Sequence, residues 1–156
     1  GDKTVMDRPP RDPKNLIVSN KDWIAIGLYA LAITLACMVA VIFCKEFLLV
    51  DDKTANNVAF ITLAFAQLFH VFNMASAQSK LLANEITKNK FIWLAILLCA
   101  GLVTIVFAVP QMRTALGLQV LGTDIWLVSI TAGLIPLLLV QLFKIFFKKK
   151  HNNFLS

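Results

Sequence analysis

Four long stretches of this chain carry no charge at all. Residues 23–44, 57–75, 91–109 and 125–143 contain no Asp, Glu, Lys or Arg. A site that strips water from a divalent cation normally needs carboxylates, so these stretches cannot form one by themselves. Cysteine is scarce too. Cys37, Cys44 and Cys99 lie in or at the edge of apolar runs, with no CxxC pair and no histidine close by in sequence. That argues against a disulfide framework or a zinc site and favours small packing residues. His70 and His151 stand far apart, with no nucleophile or acid near either. There is no glycine-rich phosphate loop of the Walker type. Nothing supports acyl transfer or metal hydrolysis, so the sequence predicts no catalytic residue, no metal ligand and no cofactor within this chain. No secretory signal peptide is visible, since the first apolar run begins only at Trp23, after a polar segment bearing both charge signs.

What is present is apolar. Hydrophobic residues make up 58% of the 156, against about 45–50% in ordinary soluble domains. The mean hydropathy is +0.74. A chain this short cannot bury so much apolar surface in one water-soluble core. Lipid is therefore the expected partner. Each uncharged stretch is close to the roughly 20 residues that cross a bilayer as a helix, and helices alone satisfy their own backbone in lipid without closing a barrel. The fold expected is an all-α integral membrane bundle of four transmembrane helices with short loops. Residues 1–22 precede it, residues 23–147 form it, and residues 148–156 follow as a basic, polar tail.

Asp22, Asn56 with Asn57, and Thr123 with Asp124 stand where N-caps would be. Trp23, Trp93 and Trp126 fall near span ends, where indole favours the interface. The net charge of +6 is distributed as a topology signal. Lys3, Arg8, Arg11, Lys14 and Lys21 precede span one. Lys80, Lys88 and Lys90 separate spans two and three. Lys144 and Lys148-Lys149-Lys150 close the chain. These segments share a side by parity. The other side holds Lys45, Lys53 and Arg113, with Glu46, Asp51 and Asp52 beside the lysines. The positive-inside rule then places both termini in the cytoplasm, with no role for nucleic acid.

Ala32, Ala36 and Ala40 recur every four residues, and so do Ser129 and Gly133. Such small-residue faces let helices approach closely in lipid. Pro136 should kink span four by removing a backbone donor. No internal repeat is evident. Span two is the polar one. Gln67, His70, Asn73 and Ser76 follow at steps of three, with Thr62 upstream. Polar residues in a span are costly and mark function. Two readings stand open: oxygens lining an ion or water pathway, or hydrogen bonds to neighbouring helices. Gln141 and Lys144 sit at the far end of span four, where they read as edge anchors.

The stretch "VMDRPPRDPKNLIVSNKDW" carries a resemblance. Met6-Asp7-Arg8-Pro9-Pro10-Arg11 resembles the cytoplasmic loop before the seventh transmembrane helix of P-type cation-transporting ATPases, especially their calcium-pump branch. "AFITLAFAQLFHVFNMASAQS" looks like the eighth helix, with Gln67 and Asn73 at its recurring amide positions. "NKFIWLAI", Pro110 at the far end of that span, and a last helix ending in Lys are similar too. The resemblance runs from about Val5 to Lys150. It implies the supporting bundle, helices seven to ten, of a pump whose ATP- and Mg-dependent domains and main ion ligands lie elsewhere. The isolated chain is then no enzyme. Its partners would be the remaining helices and cytoplasmic domains, lipid and the transported cation. Its location would be the inner membrane of a bacterium. Absence of an initiator Met fits a piece of a longer protein. Where two-ion calcium pumps place a carboxylate, this chain has Gln67, as in the branch carrying one calcium per cycle.

The motif also makes sense physically. Pro9 and Pro10 stiffen the backbone and hold Arg8 and Arg11 as cationic arms at the membrane face, able to dock acidic protein surfaces or lipid headgroups. Asp2-Lys3-Thr4 matches only three residues of the family's phosphorylation motif. Val5 and Met6 stand where Gly-Thr would follow, so Asp2 is not expected to be phosphorylated. The alternatives are a stand-alone four-helix accessory subunit or, further off, a small channel along the span-two polar residues.

Overall fold

A computed structural model describes residues 20–74 and 86–152, with side chains described over 23–74 and 86–143. The helices run in the order α1 (Asn20–Phe47), α2 (Asp52–His70), α3 (Lys90–Ala108), α4 (Pro110–Ala115) and α5 (Thr123–Asn152). A 3₁₀ turn, Val71–Met74, continues α2. Among the described residues there is no strand. Four segments are long and apolar enough to span a membrane: Trp23–Phe47, Asp52–Met74, Lys90–Ala108 and Thr123–Phe143. The four-helix expectation holds. Arg8, Pro9, Pro10, Arg11 and Ser76 lie outside the described residues.

Helix boundaries differ from the uncharged runs for a physical reason. Charged residues are tolerated at the interface, so helices outrun the apolar core. α2 starts at Asp52, five residues before Asn57. Its N-cap is Asp51, whose carboxylate accepts from the Thr54 amide at 3.0 Å, and neither Asn56 nor Asn57 caps it. Asn57 instead is buried inside the bundle. α1 runs on past Cys44. There Lys45 bridges the loop to Asp52 at 2.8 Å. Leu49 takes φ +52°, a left-handed turn that reverses the chain and lets the Val50 amide reach the Cys44 carbonyl at 3.3 Å. Thr123 and Asp124 lie within the first turn of α5. Asn89 caps α3. Pro110 closes span three by opening α4, where its missing N–H costs nothing. The Arg113 guanidinium folds back to donate to the Phe107 carbonyl at 3.2 Å, covering one acceptor that the end of α3 leaves open.

The core is a trio of α1, α2 and α5. α1 turns Ile33, Ala36, Ala40 and Cys44 inward, a stripe at helical spacing. Ala36 and Ala40 thus do what the small-residue pattern predicts, while Ala32 is half-buried. On α5, Ser129 and Gly133 are both buried against the bundle. A Cβ on Gly133 would stand 3.1 Å from the Ala66 amide nitrogen and 3.2 Å from the Thr62 carbonyl oxygen. Glycine therefore lets α5 rest on the α2 backbone at a distance where a methyl would push the two apart by a few tenths of an ångström. α5 stays helical through Pro136, which is fully buried. Gly133 meets α2 at 62–66 and Gln141 meets it at 72–73. The two helices therefore run parallel, as two spans with one other span between them must. α3 touches this trio mainly along α2, through Phe107 packed with Ile61 and Phe65. Most of its length is bare: Phe91, Leu94, Leu97 and Leu98 are all exposed.

Candidate functional site: the polar residues of α2

The polar residues of α2 disperse around the helix. Gln67 is exposed. It lies on an open face with Asn56, Phe60, Leu63 and Met74, positions that recur at helical spacing. His70 is half-buried, with its ring edge-on to Tyr29 of α1 and centroids 4.9 Å apart. Asn73 is buried and faces α5, where the Gln141 side-chain amide donates to its Oδ1 at 2.9 Å. The same amide nitrogen lies 3.5 Å from the Phe72 carbonyl. Three residues that sequence places in one winding row thus meet three different surroundings: open face, α1 and α5. The step of three explains this. Each step of three turns an α-helix by about −60°, which separates Gln67 from His70, and the change to 3₁₀ geometry at Val71–Met74 resets the direction before Asn73.

Gln141 does more than the sequence reading gave it. It is not simply an edge anchor, because its amide turns inward to α2. The signal available was an amide on each of two helices, Asn73 and Gln141, which span parity makes parallel, but nothing in one sequence gives their pairing or register. Two further hydroxyls bear on the site: Thr62, which the sequence places upstream of the row, and Ser129, which it offers only as a small residue. The hydroxyls of Thr34, Thr104, Thr114 and Thr131 each donate to the carbonyl four residues back, as is common in apolar helices. Thr62 and Ser129 make no hydrogen bond, and both are fully buried. The Asn57 side-chain nitrogen is likewise buried without a partner. Together they leave the α2 interface with polar atoms that are costly to bury.

Chemically, the arrangement offers amides and hydroxyls. Among the described residues, no three His, Cys, Asp or Glu side chains gather where they could hold a metal. Cys44 is buried, Cys37 half-buried and Cys99 exposed, and the Cys37 thiol lies 3.6 Å from the Ala59 carbonyl. Near the α3 start, the Trp93 indole donates to the Thr87 carbonyl at 2.9 Å. That is how an aromatic ring marks a membrane interface while satisfying its N–H.

These features define a class: a multi-pass helical membrane segment whose polar side chains are directed mostly at neighbouring helices. The comparisons take the assignment further. The family model for the C-terminus of cation-transporting ATPases matches residues 1–146, and the chain belongs to that family. Calcium-transporting ATPase 1 of Bacillus cereus (strain ATCC 10987 / NRS 248) is 25% identical over 91 residues, which is 58% of this chain and 10% of that protein. The chain thus matches about a tenth of the length of this curated relative. No solved structure matches. The resemblance seen around Arg-Pro-Pro-Arg and span two is the family itself.

Proposed function

We propose that this chain is the supporting C-terminal bundle of a P-type cation pump of the calcium-transporting kind, bracing ion-translocating helices supplied by the rest of a longer protein. One observation carries the reading beyond the family. Gln67 sits in the middle of an open, otherwise largely apolar face of α2, well inside the segment Asp52–Met74. An amide pointing at hydrocarbon is expensive, so that face is built to be covered by other helices with polar groups of their own. The Bacillus relative's name supports calcium as the cargo. The lysine and arginine distribution supports cytoplasmic termini. ATP and Mg would be held by domains outside this chain, and Arg8 and Arg11 would dock those domains at the membrane surface. A bacterial inner membrane fits the organism of the relative.

Native size tests the reading first. An antibody to residues 148–156 should detect a band several times larger than 17.3 kDa on a denaturing gel of source membranes. A band at that mass would establish a stand-alone accessory subunit. In the full-length pump, Gln67→Leu should shift the calcium concentration for half-maximal ATP-driven uptake by about twofold to tenfold, as expected for one membrane-buried polar contact. An unmoved half-point would remove Gln67 from the ion-facing surface. Arg8→Ala with Arg11→Ala should lower ATP hydrolysis and uptake together, and full rates in that variant would refute docking.

A further inference from the structure

The end of α2 is held from outside its own helix. Its last carbonyls need partners, and the 3₁₀ turn Val71–Met74 tightens the backbone there. Gln141 reaches across from α5. Its amide nitrogen donates to Asn73 Oδ1 at 2.9 Å and approaches the Phe72 carbonyl at 3.5 Å. One side chain therefore grips both a side chain and the backbone at the same turn. Six residues before Asn73, within α2 itself, Gln67 faces outward. A helix fixed at one end by a directional polar grip has its rotation and depth fixed along its length. Gly133 supplies the second point, since its contact with the backbone at 62–66 brings α5 against α2 just before Gln67. Gln67 thus lies between two α5 contacts, one steric and one polar.

We infer that Gln141, through Asn73, is a positioning residue that sets the rotation and depth at which α2 presents Gln67 to the ion-translocating helices. The inference rests on the function proposed above. Gln141 touches neither cation nor nucleotide in this scheme. It acts through α2 alone. Asn73 is then a helix-contact residue rather than an ion ligand, which decides between the two readings of its amide.

The test uses the full-length pump in sealed vesicles, with calcium as the cargo assayed. Gln141→Met keeps the side chain's bulk while removing the amide, which guards against loss of folding. It should shift the half-maximal calcium concentration by about threefold to tenfold, as for loss of one interhelical polar contact, with the maximal rate changed less than about twofold. Asn73→Leu should give the same shift, and the double variant no more than either alone, because both remove one contact. The decisive comparison is a Gln67→Leu background, in which Gln141→Met should produce no further shift. A role in general stability would instead lower the maximal rate and yield of protein irrespective of residue 67. An unmoved half-point, or a shift that persists undiminished without Gln67, overturns the inference. Absence of ATP-driven calcium uptake by the unaltered protein overturns the proposed function itself, and the positioning role with it.

Discussion

At the scale of single residues, Asp51 shows how far one side chain can be followed from sequence to measurement. It caps α2, and hydrogen bonds from Thr54, led by the side-chain one, hold its carboxyl below the ordinary carboxylate range. The folded form therefore releases its proton at lower pH than the unfolded chain does. The stabilisation is fully present above the unfolded value and is lost as pH falls through the lower, folded one. Asp51→Asn should keep most of the cap, since asparagine accepts the same bond, and should remove this part of the acid sensitivity. Asp51→Ala should lose the cap at neutral pH, and its difference from the parent should shrink on acidification. Thermal unfolding in detergent across pH 2–7 would show both; a constant difference between Asp51→Ala and the parent would refute the assignment. The aspartate was visible in the sequence, but its role was not. The uncharged run begins at Asn57, and that drew attention to Asn56 and Asn57 as caps, whereas the interface lets the helix start among charged residues.

At the scale of elements, the small residues were legible and their partners were not. The four-residue spacing of Ser129 and Gly133 announces a close helix contact, but only the structure shows that α5 uses it against α2. Gly133→Ala should separate the two backbones, because the new methyl meets main-chain atoms that cannot swing aside. The expected cost is about 1–3 kcal/mol, the usual range for overpacking, read as reduced resistance to denaturation in mixed micelles. Gly101→Ala on α3 is the control: no atom stands within 4 Å of a Cβ there, and it should be neutral or slightly stabilising through helix propensity. Equal loss at both positions would contradict the packing described. The polar row of α2 stands out in the sequence, yet one sequence could not tell pathway from helix contact. That distinction depends on which neighbour lies at each angle, and neighbours of α2 come from both ends of the chain.

At the scale of the whole molecule, burial is uneven. α1, α2 and α5 share a core, while α3 leaves most of its surface bare. The cysteines report this difference. Cys99 on α3 is exposed, and Cys44 is fully buried where α1 meets α2 and α5. A photoreactive carbene probe that partitions into the micelle should label Cys99 in the detergent-solubilised chain and Cys44 only on unfolding, since Cys99 lies exposed on a membrane-spanning helix and Cys44 is buried in the bundle. Mass spectrometry of the two peptides over time would reveal it, and labelling of Cys44 at the same rate would show that the trio does not persist in the detergent-solubilised chain. Span number and approximate limits were legible because lipid imposes length and polarity directly on sequence. The sparse contacts of α3 were not, because an apolar helix facing lipid and one facing protein read alike.

The parallel pairing of α2 with α5 has a consequence for biosynthesis. A ribosome delivers α2 to the membrane well before α5 exists. In that interval Thr62 and Asn73 have no α5 to face. The α1–α2 hairpin must therefore wait, sheltered by the insertion machinery or by water at the bilayer edge, until the last helix arrives. A chain terminated before α5 would carry this polar side uncovered, a state that membrane quality control can recognise as unfinished. α5 is, in this sense, the cover that the polar side of α2 awaits.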